Sequence, residues 1–588
     1  MKRYAMIGNC QGSALVGDDG AIDWLCLPRP DSPPVFGALL DPAGGSFAIL
    51  AETPGSTVQR YVPNTAVIET THRCADGTAF LVTDFLPRFV QHGRTYRPLQ
   101  VIRIITPVTG MPQVRISCRP VLGWTREPAP MQRGSSHVRW TGLSGELRLT
   151  TDVPLTYIFE ERAFTLTYPL HLVLSWDLPL EADLAETCGL FLRRTIEYWR
   201  TWVMRCSIPA RHQAAVIRSA ITLKLHCWEE TGAVLAAPTT SLPEIPGQER
   251  NWDYRYCWLR DAWFTVSALS RLGHLDDLEG LLGFLLDLAH RDGGHLRPVY
   301  RVDGTAPLPE ETHADWAGAE GSQPVRSGNQ AAEHVQNDVY GEMLLALATL
   351  FRDERLVHRR DARWAELLAL LARRCHETLG EPDAGLWELR GGWKPHAFSA
   401  LLSWAGLRAY AGLVADGRVP GEASAWAAKR DAAERVVRQS IHDGVLWNAP
   451  GEQVPDASLA LAAMLDFPDP AVNRATIAAI RSRLSLASDG LAASFFYRYR
   501  QADDFGVPEH AFVVCSFWVA EALARLGDVA EAERILVGAM QAGNHVGLMP
   551  EHFAPHHRTG HGNQPQCYSH VGLIGAAFAV SPPSPLIG

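Results

Sequence analysis

Two glutamates in unusual surroundings offer acid–base chemistry: Glu388 in Gly385-Leu386-Trp387-Glu388, and Glu551 in Leu548-Met549-Pro550-Glu551. A carboxyl beside an indole and a leucine can be pushed toward its neutral form by desolvation, as a general acid near neutral pH requires. The plainer reading of Glu388 is a loop glutamate paired with Arg390. Glu551 follows a proline that fixes the backbone. Two further strings are too aromatic and too charged for solvated loops: Arg250 to Ala262, which carries Trp258 and the adjacent pair Arg260-Asp261, and Phe496 to Gly506, which carries Arg498. An arginine donating beside an aspartate accepting can chelate vicinal hydroxyls; a helix N-cap by Asp261 is the bland alternative. Arg498 can hold a sugar hydroxyl or clamp Asp503 or Asp504. His552, His556, His557 and His561 invite a metal reading, but no His-Glu-x-x-His spacing accompanies them, and surface histidines are the simpler expectation.

The elements that must position these residues change period along the chain. Up to about Asp177 the pattern alternates, as in Val114 to Arg119 and in the longer run Phe164, Leu166, Tyr168, Leu170, Leu172 and Leu174. Glycine and proline punctuate it, which predicts an antiparallel sandwich. A bridging helix follows over Phe191 to Met204. Twelve helical segments come next: 211–230, 260–273, 276–290, 331–352, 360–378, 396–416, 423–441, 456–466, 471–484, 509–526, 529–542 and 566–580. Long loops precede segments two, four, six, ten and twelve, while short turns follow two and ten. Hairpins of this kind close into a two-layered ring with the even helices inside. All four chemical strings then converge on one end, and Glu388 and Glu551 face the same space. Two carboxyls flanking a glycosidic bond are what glycoside hydrolysis requires.

Composition narrows the partners. Net charge is −10, with no basic stripe for a phosphate backbone, so nucleic acid is excluded as a partner and a neutral hydroxyl-rich ligand fits. Eleven cysteines occur singly, without disulfide or zinc spacing, which with the short apolar N-terminal run predicts a reducing cytoplasm. No uncharged apolar run of membrane length is present, so no membrane partner is expected.

The strings Arg250 to Ala262, Gly385 to Glu388, Arg498 to Gly506, and Leu548 to Glu551 with Gln566 to His570 resemble the glucoamylase and bacterial trehalase family of inverting glycoside hydrolases, family fifteen. Ile7 to Cys10, Gly20 to Pro28 and Ala237 to Glu244 resemble its bacterial members too, the first two in their N-terminal β-domain. The resemblance implies a β-sandwich over 1–180, a linker helix over 181–209 and an (α/α)6 barrel over 210–588. It implies Glu388 as general acid, Glu551 as general base, Arg260 and Asp261 gripping the terminal glucose, Arg498 as another sugar contact, and Trp258, Trp387 and Tyr568 as aromatic walls. Inversion implies carboxyls roughly 6.5–9.5 Å apart. The chemistry requires no metal or cofactor.

The expected activity is exo-hydrolysis of α-linked gluco-oligosaccharides of glucoamylase type, with trehalase as the alternative. Outside that class stand a glycoside phosphorylase, which an intact Glu551 argues against, and a sugar-binding protein without turnover. The expected partner is an α-linked glucose di- or oligosaccharide, with a homo-oligomer left open. Departures from the family pattern are Phe398-Ser399-Ala400, Trp263 and Asn563-Gln564-Pro565-Gln566, which bear on the outer subsites.

Overall fold

The computed structural model describes residues 2–581. Two antiparallel sheets face each other in the first part of the chain. One has seven strands in the order Tyr4–Gly8, Ser13–Gly17, Ile22–Cys26, Ser46–Ala51, Gln113–Arg119 and Phe164–Thr165, with Pro34–Phe36 paired to the third. The other has eight: Met131–Arg133, His137–Trp140, Leu147–Thr151, Leu170–Trp176, Gln100–Thr109, Ala79–Phe85, Ile68–Arg73 and Ser56–Tyr61. Ile7, Val16, Phe47 and Ile116 meet Val82, Ile105, Leu149 and Leu172 in the core between them. Each such buried side chain contributes roughly 1.5–3 kcal/mol.

The run expected from Phe164 to Leu174 as one alternating stretch is in fact two strands in different sheets. Pro169 interrupts it, and the preceding Tyr168 is 61% exposed. Leu170–Trp176 is then buried at every position, because a helix covers the sheet's other face. That helix, Leu184–Met204, starts earlier than its periodicity shows: Asp183 accepts from the Glu186 amide (2.8 Å) as N-cap. It lays Cys188 and Phe191 on Ile102, Ile104 and Val173.

Beyond it the helices alternate between two kinds. Gln213–His226, Leu275–Arg291, Ala362–Glu377, Ala423–Arg438, Pro470–Leu484 and Val529–Ala539 expose one face. Leu259–Leu272, Asp338–Arg352, Ala397–Ala415, the turn Ala457–Ala460 running into Leu461–Met464, Val513–Arg525 and Cys567–Val580 are buried nearly all round, and each touches the next until the last meets the first. The even segments therefore line the inside of an (α/α)6 barrel, as expected. Ala397–Ala415 has the length and hydropathy of a membrane span, but 89% of its 18-residue apolar window lies buried inside the protein. Two expected helices are broken. Segment 331–352 begins as a 3-10 turn, Gln330–Glu333, before Asp338, and segment 456–466 is a 3-10 turn, Ala457–Ala460, running into a single α-turn.

Side-chain caps are commoner in the outer layer than in the inner one. Asp361, Glu422, Asp469 and Asp528 cap four outer helices with their side chains. The inner helices starting at Leu259, Asp338, Ala397, Val513 and Cys567 have no side-chain cap. Their N-termini, the positive ends of the helix dipoles, lie at the end where the long loops gather, and the first amides of four of them, Leu259, Ala397, Val513 and Cys567, donate to main-chain carbonyls there.

Candidate active site

Those loops enclose a cavity, and its deepest wall is built from the string 250–262. Cys257–Trp258 forms a short ladder with Val299–Tyr300, and the helix starts at Leu259. Arg260 and Asp261 therefore fall in the first helical turn, both buried. Trp258, not Asp261, is the N-cap residue, so the capping alternative for Asp261 does not hold.

Glu388 comes from the opposite loop. It sits at φ 60°, a left-handed conformation that costs a glutamate on the order of 1–3 kcal/mol and that clusters at functional sites. Its turn closes through the Glu388 amide on Gly385 O (3.1 Å). Three donors converge on its Oε1: Trp258 Nε1 (2.7 Å), Arg260 Nη2 (3.2 Å) and Gln336 Nε2 (3.2 Å). None of them takes Oε2, and the side chain is 24% exposed. Arg260 is itself fixed by Gln336 Oε1 (2.8 Å) and Asp338 Oδ2 (3.2 Å).

Glu551 is held differently. Its carbonyl accepts from the Val513 amide (2.9 Å), and the strand His552–Ala554 that follows pairs with Ala511–Phe512 and Thr559–His561. Tyr254 Oη donates to Oε1 (2.7 Å) and the Asn563 amide to Oε2 (3.2 Å). Burial and the Glu551 charge hold the Tyr254 hydroxyl well above its usual range, so it remains a donor. Gly562 makes room: at φ 73° a Cβ there would stand 2.3 Å from Glu551 Oε2. The Tyr254 and Trp258 rings meet edge to face at 5.5 Å. A ladder of bond, ring contact and bond thus joins Glu551 to Glu388. Tyr254 lines the cavity, while the Glu551 carboxylate lies behind it, 2% exposed.

The floor of the cavity carries polar atoms without protein partners. Asp261 Oδ1, Arg260 Nε and the Tyr568 hydroxyl are all buried with no hydrogen bond among the described residues. Such atoms are costly unless a ligand satisfies them. Burial, with the charge of Glu388 adding and Arg260 opposing, pushes the Asp261 carboxyl up to about 7. Beneath Arg260, burial and the neighbouring Asp338 push Glu342 well above the carboxylate range.

Several expected residues are here in other company than expected. Trp387 and Tyr568 line the cavity, but Trp387 Nε1 donates to Asp456 Oδ2 (2.8 Å), and the indole bonded to Glu388 is that of Trp258. Arg498 also lines it: it grips Glu244 through Nη1 (2.9 Å) and Nη2 (3.3 Å), and its Nη2 lies in ion-pair range of Asp503 Oδ2 (3.7 Å), as the clamp reading expected. Asp503 also accepts from Arg250 Nη1 (2.8 Å). Arg390 bonds not to Glu388 but to Glu310 (3.0 Å), and its amide donates to Asp504 (2.7 Å). His556 and His557 are exposed, as expected of surface residues, whereas His552 and His561 are buried.

The residues that sequence reasoning missed are Glu244, Tyr254, Gln336, Asp338 and His334. Tyr254 stands inside a string singled out for chemistry, and Glu244 ends one noted only for its family resemblance. His334 lies on the cavity wall with both ring nitrogens buried and unpartnered. Among the described residues, Glu244, Glu551 and His552 alone present three ligand-type atoms within 4.8 Å of one another. Arg498 and Tyr254 already occupy their carboxylates.

With this geometry in hand, kinship can be read. Residues 210–537 match the family model described as glycosyl hydrolases family 15. The chain belongs to glycosyl hydrolases family 15. Residues 1–153 of this family 15 enzyme match the trehalase-like N-terminal domain. It is 32% identical to a trehalase of Mycolicibacterium smegmatis over 98% of this chain and 90% of that one. A trehalase of Thermoplasma acidophilum is 30% identical, covering 96% of this chain and 97% of its own length. In fold it resembles a bacterial glucoamylase solved with acarbose, at a TM-score of 0.68 and 13% identity, over 98% of this chain and 93% of that one. The family 15 chain is an O-glycosyl hydrolase with the β-domain and helical barrel expected of it. The relatives' names favour the trehalase alternative over the glucoamylase reading.

Proposed function

We propose that the enzyme hydrolyses α,α-trehalose with inversion. The observation that carries this reading is the contrast between the cavity's floor and its mouth. The floor offers Arg260, Asp261 and Tyr568 to one glucose. The mouth is also polar: His334, Arg390 and Asp504 lie there, and Asp504 is exposed where Asp261 is buried. Loops from three parts of the chain are tied across it by Arg390, which bonds Asp504 and Glu310, while Glu310 also takes Arg326 (2.7 Å). A closed rim of hydrogen-bonding groups suits a second glucose better than a continuing glucan chain.

In this reading Glu388, protonated on the oxygen that no protein donor takes, gives its proton to the glycosidic oxygen. Glu551 removes a proton from the water that attacks the anomeric carbon from the other face. Arg260 and Asp261 hold the reacting glucose, Trp258, Trp387 and Tyr568 wall it, and Arg498 acts from the rim. The units are 1–180, 181–209 and 210–588, of which 582–588 lie outside the described residues. The substrate partner is thus a disaccharide of α-linked glucose.

Proton NMR of the enzyme acting on trehalose, maltotriose and isomaltose in parallel tests this. Trehalose should be turned over fastest, yielding equal amounts of the two anomers at first: the attacked glucose emerges β and the departing one α. Early α-glucose alone from trehalose rules out inversion. Early β-glucose from maltotriose, with trehalose untouched, restores the glucoamylase reading.

A further inference from the structure

His552 lies immediately behind the cavity wall, and nothing in the mechanism above uses it. It is 1% exposed, and its Nε2 stands 3.3 Å from Glu244 Oε1 and 3.7 Å from Glu551 Oε1. The ring cannot swing away: Phe512 meets it edge to face at 4.7 Å, and its backbone pairs with Phe512 and His561. Beyond Glu244 stand Arg498 (2.9 Å) and Arg250 (3.7 Å). Charges of opposite sign therefore alternate from Arg498 through Glu244 and His552 to Glu551.

We propose that His552 is a positioning residue for the base: as an imidazolium between Glu244 and Glu551, it neutralises two buried carboxylates at once and keeps Glu551 ionised and aimed. This rests on the reading of Glu551 as general base. Two carboxylates sharing one buried compartment cannot both stay ionised without a cation between them. Arg498 is engaged with Glu244 on its far side, so His552 alone can serve Glu551. Burial disfavours the imidazolium, but Glu244 and Glu551 outweigh it and raise His552 to about 9. Arg498 first, then His552 and Arg250, hold Glu244 well below the usual carboxylate range, against its burial. The other titratable groups facing the ring are His510 and His561, stacked on each other at 4.5 Å. Burial, helped by the charge of His552, pushes both down, His561 to about 4, so they stay neutral and do not compete.

A cation held beside the base should widen the pH range of activity on its acid side. The experiment is the pH profile of kcat/KM on trehalose for wild type, His552→Gln and Glu551→Gln. His552→Gln should move the acid limb upward by about one pH unit and lower kcat about tenfold, with KM within about threefold of wild type. A lower kcat with an unmoved acid limb makes His552 a packing residue and overturns this proposal alone. Activity retained in Glu551→Gln overturns the base assignment and this proposal with it. Should His552→Gln fail to fold, the wild-type enzyme labelled at histidine 13Cε1 decides. A resonance still in the imidazolium position at pH 8 supports the proposal, and loss of every imidazolium signal by that pH overturns it.

Discussion

Glu388 and Glu551 end one ladder of contacts, yet their settings are opposite. Glu388 stands in a strained turn, partly exposed, with three side chains, two from one loop–helix junction and one from a second loop, crowded on one oxygen. Glu551 lies in a regular strand junction, enclosed, with one hydroxyl and one main-chain amide on its two oxygens. A group that must deliver a proton to a ligand needs a free oxygen at the surface of the cavity. A group that takes its proton from a small water can be sunk behind it. The difference shows how one pair of glutamates can be sorted into two roles by support rather than by residue type.

The contrast can be broken first at the carboxyls. Glu388→Gln and Glu551→Gln should each lower kcat on trehalose by about 10³–10⁴-fold, and the double variant little further, since groups acting as a unit are not additive. Calorimetry should still find sugar bound to Glu388→Gln; a variant that keeps most of its turnover would remove that residue from the chemistry.

The supports sharpen it next. Tyr254→Phe takes the single hydroxyl donor from Glu551 Oε1 and should cost kcat about 30-fold, or roughly 2 kcal/mol. Trp258→Phe leaves Glu388 Oε1 two donors and should cost only about threefold. Equal losses would mean that the two carboxyls are held alike. Arg390→Ala, at the mouth, should raise KM for trehalose about tenfold while changing that for p-nitrophenyl α-glucoside less than about twofold. Equal changes in both would place Arg390 outside the second sugar's site.

The smallest effect expected is on stability. The raised His552 contributes stability that is fully present below its ordinary value of 6.5 and is lost as pH rises through about 9. The melting-temperature gap between wild type and His552→Gln should therefore narrow from pH 6.5 to pH 9. A constant gap would show that the ring carries no charge there.

Much of this was legible in the residues. Loop lengths and the 3.6 period gave the two helical layers, and each of the four chemical strings reached the cavity. What escaped depended on partners remote in sequence. Nothing local to Trp387 says that its N–H goes to Asp456, leaving Glu388 to Trp258, 130 positions away. His552 looked like one of several surface histidines because burial by Phe512 and Glu244 is invisible from Pro550 to His561. Asp338 and Glu342 sit one turn apart in an otherwise apolar helical pattern, where only the approach of Arg260 gives them meaning. The strand run 164–174 misled because alternation continued across Pro169 although the chain changed sheets.

Arg255 has a consequence of another kind. It stands between Tyr254 and Trp258 in sequence, locked to Asp253 Oδ2 (2.6 Å), and donates to the carbonyl of Ser32 in the β-domain (2.6 Å). Trp24 reaches across the same seam to Pro238 O (2.8 Å). The loop that presents Tyr254 and Trp258 is thus moulded partly by the first 32 residues of the chain. Recombination between relatives at the linker would part a guanidinium from its carbonyl and hand each barrel a foreign mould. Shuffled genes should stay active only when both halves descend from the same parent, and the two domains are bound to change together over generations.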